Sequence, residues 1–213
     1  YGDCAILYRT NAQSRLLEEK LIASNIPYKI VGGVNFYSRK EVKDLLAYLK
    51  TVDNARDELA VRRIINIPKR GIGAASLAKV SAYAEVNSLN FYQALERARE
   101  IPGLGRAAGK MEPFVDLIAS LRELAALGGV SAVLEEVLEQ TGYVRELEAE
   151  DTPEAQARIE NIDELMNKAI SYEQENEEPT LSGFLEEVAL VADIDSLAED
   201  QNYVVLMTLH SAK

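Results

Sequence analysis

The sequence predicts a mostly α-helical protein that also contributes about three parallel β-strands. Three observations lead to this fold class. Residues 4–31 read as strand, helix and strand, which is the pattern of a βαβ unit and implies a parallel sheet. A strand-like apolar run returns at residues 203–207, and the long stretch between these regions carries helical periodicity. A helical insertion within a small α/β domain is therefore expected.

Short apolar patterns define the N-terminal elements. The segment "CAILYR" (residues 4–9) is an apolar run suited to a buried parallel strand. Leucine and isoleucine recur at helical spacing over residues 16–22, so a helix is predicted there. The run Tyr28–Val31 predicts the second strand, which two glycines close.

Helices dominate the next 160 or so positions, as expected from side chains that repeat every three or four residues. Ser38 stands three residues before Glu41, the spacing of a capping box, so a helix is expected to begin there. Thr152 as N-cap and Pro153 at the first helical position mark another clear start. The later helices are predicted at 58–65, 74–86, 90–99, 106–127, 131–140, 153–173 and 181–194.

The last strand is predicted at Val204–Met207, where the residues are apolar and partly β-branched. The chain stops three residues after His210, which suggests a piece of a longer protein whose two ends join one sheet. The expected domains are 1–33, the first part of the α/β domain, then 34–197, the helical domain, and 198–213, the return into the α/β domain.

Composition indicates a soluble globular protein, with 47% hydrophobic residues in 213. The single cysteine, Cys4, cannot form an internal disulfide, which fits a reducing cytosol. No apolar stretch approaches the roughly 20 residues that cross a bilayer, and the N-terminus lacks the pattern of a signal peptide. A cytoplasmic location without a membrane partner is predicted.

Charge is distributed unevenly along the chain. Residues 1–110 hold 18 Lys+Arg and 11 Asp+Glu, whereas residues 111–213 hold 5 and 24, so the net charges are +7 and −19. A polyanion senses the local field within a Debye length of about 8 Å, and a remote acidic region is mostly screened. Contact with nucleic acid is therefore expected on one face of the basic half.

The stretch "INIPKRGIGAAS" (residues 65–76) has the pattern of a phosphate-binding turn. Two glycines permit a tight backbone and close approach, and a helix that begins near Ala74 directs free N–H groups at an anion. Such a turn reads the backbone phosphates of nucleic acid and not its bases. The alternative is an ordinary connection between two helices. The candidate residues for duplex DNA are Lys69, Arg70, Gly71, Ile72, Gly73 and Ser76.

A second stretch, "IPGLGRAAGK" (residues 101–110), repeats this pattern less completely. Gly103, Gly105 and Arg106 are the candidates for a second duplex contact. A purely structural turn is the alternative, since Pro-Gly occurs in many loops. Both stretches have the form of helix-hairpin-helix turns.

Polar residues follow the first and last strands. Arg9 and Asn11 come after the first, and Thr208 and His210 after the last. Ligands of open α/β sheets bind outside the carboxyl ends of the strands. His210 is the only histidine, so a metal site built from several histidines is excluded. The sequence also has no P-loop and no Gly-x-Ser-x-Gly motif, so this chain is not expected to hydrolyse a substrate unaided.

Four segments together resemble superfamily 1 DNA helicases of the UvrD/Rep/PcrA group, and most closely its PcrA branch. They are "AILYRTNAQSRLLEEKL", "IPYKIVGGVNFYSRKEVKDLLAYLK", "RIINIPKRGIG" and "VVLMTLHSAK", in this order. The family has two RecA-like domains, 1A and 2A, with helical insertions 1B and 2B. The resemblance implies that this chain contains part of 2A, all of 2B and the return into 2A.

The resemblance also implies roles for matching residues. Arg9, Asn11, Thr208 and His210 would lie near single-stranded DNA, and the turn at residues 69–76 would hold duplex DNA ahead of the motor. The parent would be an ATP-dependent 3′-to-5′ helicase of DNA repair or replication that uses ATP and Mg²⁺. No cofactor is expected in this chain, because the nucleotide-binding domain 1A and the Glu beyond Lys213 lie outside it.

The sequence leaves two alternatives to duplex binding open. The acidic helical half, with Glu135, Glu136 and Glu139, fits a protein-interaction module that recruits repair or transcription partners. In the other alternative the piece is an autoinhibitory scaffold whose turns only pack helices.

Overall fold

The computed structural model describes residues 1–195 and 202–212, and the chain forms two compact units. Unit 1 comprises Tyr1–Lys43 and Val144–Lys213, and unit 2 comprises Asp44–Tyr143. The domain borders expected from the sequence stay predictions. The strands are β1 (Ala5–Tyr8), β2 (Tyr28–Val31) and β3 (Val204–Thr208). The helices are α1 (Ser14–Ala23), α2 (Lys40–Asp53), α3 (Glu58–Ile64), α4 (Ala74–Val86), α5 (Phe91–Glu96), α6 (Ala108–Ala125), α7 (Val130–Thr141), α8 (Tyr143–Glu150), α9 (Pro153–Glu175) and α10 (Leu181–Asp195).

The sheet of unit 1 confirms the predicted fold class. Its order is β1-β3-β2, and both neighbouring pairs are parallel. Strand β3, from the C-terminal end of the chain, thus lies between the two strands of the predicted βαβ unit. Tyr8 and Leu206 are buried on one face, where Leu17 and Leu21 of α1 pack against them. The two ends of the chain therefore form one sheet, as the sequence predicts.

The predicted helices are present, with shifted ends. Helix α2 begins at Lys40 and not at Ser38, which lies in a short 3₁₀ helix. Helix α6 begins at Ala108, after a 3₁₀ turn. Sequence reasoning missed α8, in which Tyr143 and Leu147 are the buried apolar residues. Two buried apolar positions are too few to show the periodicity of a helix in the sequence. No helix in the described part of the chain is long and apolar enough to cross a membrane.

Charged side chains form hydrogen bonds that hold the helices of unit 2 together. Asp44 is fully buried, and it accepts hydrogen bonds from Arg63 Nε (2.7 Å) and from the Tyr143 hydroxyl (2.8 Å). Arg122 donates to the carbonyls of Thr51 (3.0 Å) and Val52 (3.1 Å), at the C-terminal end of α2. These carbonyls are left over at a helix end and need donors. Several arginines of unit 2 are thus occupied within the fold.

Unit 1 contains a buried polar cluster, the Glu18 network, which consists of Ser14, Glu18, Arg39, Glu41 and Asn161. All five residues are less than 9% exposed. Arg39 donates to Asn161 Oδ1 and to Ser14 Oγ, both at 2.7 Å, and lies 3.8 Å from the Glu18 carboxylate. Burial lowers the pKa of Arg39, whereas Glu18 and Glu41 oppose this shift. The network joins α1 to the start of α2 and to α9.

Candidate nucleic-acid interface

The Gly-Ile-Gly turn connects α3 to α4 in unit 2. Gly71 has φ +67°, the left-handed conformation that favours glycine, and Ile72 is buried with 4% exposure. Gly73 is the N-cap of α4, with φ −79° and ψ 158°, a backbone that any residue adopts. A Cβ at position 73 would meet no atom within 4 Å. The glycine at 73 therefore leaves open space in front of the helix.

The start of α4 provides donors that face this space. The first N–H groups of a helix have no partner within the helix, and Ala74 and Ala75 are the first two residues of α4. The Ser76 amide donates to the Gly73 carbonyl at 3.0 Å, so Ser76 lies in the first turn. The helix dipole adds a partial positive charge, and the exposed Lys69 adds a full one. The arrangement can hold an anion such as a phosphodiester.

Arg70 takes a different position from the one that its sequence context indicates. Its Nη1 donates to the carbonyls of Ile64 (3.0 Å), Ile65 (3.1 Å) and Ile67 (3.2 Å). The first two belong to the C-terminal end of α3, where a cation is stabilised by the helix dipole. Nη2 donates to the Tyr48 hydroxyl at 3.0 Å. Its role as a phosphate contact stays a prediction, but the structure gives its guanidinium internal partners.

Sequence reasoning missed two residues that shape this turn. The Asn66 side chain donates to the Ile72 carbonyl (2.7 Å) and accepts from the Ile72 amide (3.1 Å), which closes the loop across itself. Tyr48, fully buried, donates to the Ile67 carbonyl, and burial raises the pKa of its phenol. An Asn at the start of a loop that contains proline and glycine, like Asn66 before Pro68 and Gly71, is a signal for such a bond. Nothing in the local sequence marks Tyr48, because its contact lies 19 residues away.

The second glycine turn lies beside the first within unit 2. Gly103 has φ +72° and Leu104 is buried, which matches Gly71 and Ile72. Gly105 differs from Gly73, since it has φ +54° and begins a 3₁₀ helix before α6. Arg106 is exposed. The predicted pair of turns is therefore brought together, although only the first leads directly into an α-helix.

Two lysines cross between the turns, and the sequence analysis assigned neither a binding role. Lys110, in α6 behind the second turn, donates to the Gly71 carbonyl at 3.1 Å. Lys79, in α4 behind the first turn, donates to the Gly103 carbonyl. Lys79 lies six positions after Gly73, and Lys110 lies five positions after Gly105. This similar spacing is the signal that could have found them.

In unit 1, the candidate residues for a single strand gather at the carboxyl end of the sheet. Tyr8 pairs with Thr208, so Arg9 follows next to the end of β3, and both Arg9 and His210 are exposed. The hydroxyl of Thr208 lies 3.0 Å from that of Ser211. A Cβ on Gly32, just after β2, would come within 2.5 Å of the Ser211 hydroxyl. The carboxyl ends of all three strands therefore meet at one edge of the sheet, and the role of this edge in binding a single strand stays a prediction.

Comparisons with known proteins cover the whole chain. The family model described as the UvrD-like helicase C-terminal domain matches residues 1–213. The chain is 45% identical over 218 residues to the ATP-dependent DNA helicase PcrA of Bacillus subtilis, and 46% identical over 215 residues to that of Staphylococcus aureus. The PcrA of Staphylococcus epidermidis is 45% identical. The whole chain is aligned in each case, but it spans only about three tenths of each relative's length.

Proposed function

This chain belongs to the family of UvrD-like helicase C-terminal domains, and from that premise we propose that it is the duplex-binding and regulatory portion of an ATP-dependent 3′-to-5′ DNA helicase. In the intact protein the Gly-Ile-Gly turn would hold the duplex ahead of the motor. Its contacts would be to phosphates, so binding would not depend on base sequence. The resemblance first inferred from four segments agrees with the family match.

The observation that carries this proposal is the open approach to Gly73. Gly71 requires glycine for its own backbone, but Gly73 has an ordinary φ and free space where a Cβ would stand. Glycine is among the residues favoured at a helix N-cap, so the support for the proposal is the open space and not the glycine alone. A phosphodiester can approach the first amides of α4 through this space, where a side chain at the N-cap would stand in its path.

Replacing Gly73 by Ala tests this proposal. We expect duplex affinity to fall about tenfold, equivalent to about 1.4 kcal/mol, because the added Cβ blocks close approach of the phosphate. The free energy of unfolding should fall by no more than about 1 kcal/mol, since the new side chain meets no atom but alanine is a poorer N-cap than glycine. The measurement is a titration of the labelled duplex at fixed salt, where the parent chain should bind with a Kd of about 10⁻⁴ to 10⁻⁶ M.

Gly129→Ala is the matched control for Gly73→Ala. Gly129 is the N-cap of α7 with φ −79° and ψ 173°, so this variant makes the same change at a helix start in the same unit. It should keep the parent affinity. Equal affinity of the Gly73 and Gly129 variants would show that the turn does not hold duplex and would favour the structural alternative.

A single-strand contact at the carboxyl edge of the sheet is the second part of the proposal. The exposed Arg9 and His210 offer a cation for a phosphate and a ring for stacking on a base. We expect Arg9→Ala to weaken binding of an oligothymidine strand about three- to fivefold at low salt. Lys20→Ala, which removes an exposed cation at the end of α1, is the control. A loss as large in the control would indicate general electrostatics and no local site.

ATP and Mg²⁺ belong, in this proposal, to the parent helicase. The relatives are named as ATP-dependent, but this chain has no P-loop. Among the described residues there is no group of three or more potential metal ligands. Recruitment of repair or transcription partners by the acidic half stays a prediction.

A further inference from the structure

Most arginines of unit 2 already have partners within the fold. Arg62, Arg63 and Arg99 form ion pairs with Glu58, Asp44 and Glu112, and Arg70 and Arg122 donate to main-chain carbonyls. In the described part of the chain, Lys69, Lys79, Arg106 and Lys110 form no ion pair with a carboxylate. All four are exposed, and they lie in the two glycine turns or in the helices that follow them. These four cations are therefore available to an external anion.

Lys79 and Lys110 differ from the other two because each ammonium group is hydrogen-bonded to a main-chain carbonyl. Each donates to the carbonyl of the positive-φ glycine in the opposite turn, Gly103 and Gly71 respectively. A Cβ placed on Gly71 would lie 3.3 Å from Lys110 Nζ, and one on Gly103 would lie 3.1 Å from Lys79 Nζ. An ammonium group has three N–H donors, so two remain after one bond to a carbonyl. Each turn thus carries a positioned cation with free donors.

The bond to the carbonyl also changes what the turn offers to an anion. A tight glycine turn exposes oxygens as well as N–H groups, and the oxygens repel a phosphate. A lysine on the carbonyl cancels this repulsion and brings a full charge to the turn. In both cases the lysine belongs to the helix that follows the other turn. Neither turn therefore has its bound lysine unless the helix after the other turn is in place.

We propose that Lys79 and Lys110 are phosphate-binding residues, each of which serves the glycine turn of the opposite motif. This inference rests on the proposed function and names the ligand of that site as two phosphodiester groups, one at each turn. Arg106 and Lys69 add charge at the rim. The crossed arrangement makes the two turns a single binding unit, so damage to one motif weakens the contact of the other.

The test uses the full chain with Lys79→Gln, Lys110→Gln and the double variant. A phosphate contact contributes about 0.9 to the slope of log affinity against log salt for duplex DNA. Each single variant should lower that slope by about this amount and weaken binding about five- to tenfold at 0.1 M salt. Lys50→Gln is the matched control: it removes one lysine of unit 2 that pairs with Asp57 at 3.9 Å and contacts neither turn. It should leave the slope unchanged.

Lys→Arg variants at both positions separate charge from a purely structural bridge. An arginine keeps the cation, so the slope should return to the parent value. If both Gln variants lose stability but keep the parent slope, the lysines only bridge the turns and the inference is wrong, while the proposed function stands. If the parent chain itself binds no duplex, the proposed function fails, and this inference fails with it.

Discussion

Replacing Arg70 by Ala is expected to lower the free energy of unfolding of unit 2 by about 2–4 kcal/mol. The guanidinium donates to three carbonyls between Ile64 and Ile67, two of which end α3, and its centre lies 5.2 Å from the centre of the Phe114 ring. Removal leaves these carbonyls without a charged donor and opens space beside a fully buried ring. Urea denaturation followed by circular dichroism measures the change.

Arg70→Lys sharpens this prediction. Lysine keeps the charge, but it lacks the planar fork that reaches several carbonyls and the Tyr48 hydroxyl at once. We therefore expect Arg70→Lys to recover less than half of the lost stability. Arg106→Ala is the contrasting control: Arg106 is exposed, so its loss should leave stability within about 0.5 kcal/mol and lower duplex affinity instead.

The opposite outcome would mean that Arg70 contacts phosphate, as its sequence context indicates. If Arg70→Ala keeps full stability but reduces the salt slope of duplex binding by about 0.9, its guanidinium contacts phosphate in the complex. If it loses stability and, while folded, keeps the slope, then it positions the turn. The conservative variant Arg70→Lys should show the same relation between loss of stability and change in salt slope.

The fold could be predicted well from the sequence because its elements carry local signals. Helix α4 begins and ends at the predicted residues, since a Gly turn precedes it and Asn87 ends it. Strand β2 also has its predicted bounds. The order of strands could not be predicted, because β3 pairs with residues about 200 positions away and no local pattern records that pairing. Helix α8 was missed because it has too few buried apolar residues to show a helical repeat in the sequence.

The candidate site was predictable as a position in the chain but not as a set of contacts. Glycines at 71 and 73 signal a tight turn before a helix, and that is what the structure shows. The cation nearest to them in sequence, Arg70, turns inward. A sequence pattern gives the type of a side chain and cannot give its direction, which depends on acceptors such as the Ile64 carbonyl. Lys110 reaches the first turn from 39 residues away, so the residues around that turn do not indicate it. The signal lies in the similar spacing at which Lys79 and Lys110 follow their own turns.

Replacing Arg39 by Ala is expected to have the largest effect of any variant considered, about 3–5 kcal/mol on the free energy of unfolding of unit 1. Arg39 is 7% exposed and Glu18 is 3% exposed, so the variant removes a buried cation that lies 3.8 Å from a buried carboxylate. It also removes the donors to Asn161 and Ser14. The Phe36 amide still donates to Glu18 at 3.0 Å but cannot replace a charge. Arg9→Ala, at an exposed arginine of the same unit, should change stability by less than about 0.5 kcal/mol.

The double variant Arg39→Met with Glu18→Gln separates the buried charge from loss of packing. Since this pair is neutral, it should regain the part of the loss that comes from the buried charge, whereas the part that comes from the lost donors to Asn161 and Ser14 remains. Hydrogen exchange then tests what the network joins. Ser14 and Glu18 fall within the predicted segment 1–33, whereas Arg39 and Asn161 fall within 34–197. If these segments folded independently, Arg39→Ala would expose amides of only one of them. Because the Glu18 network links α1 to α9 through Arg39, we expect both helices to lose protection together.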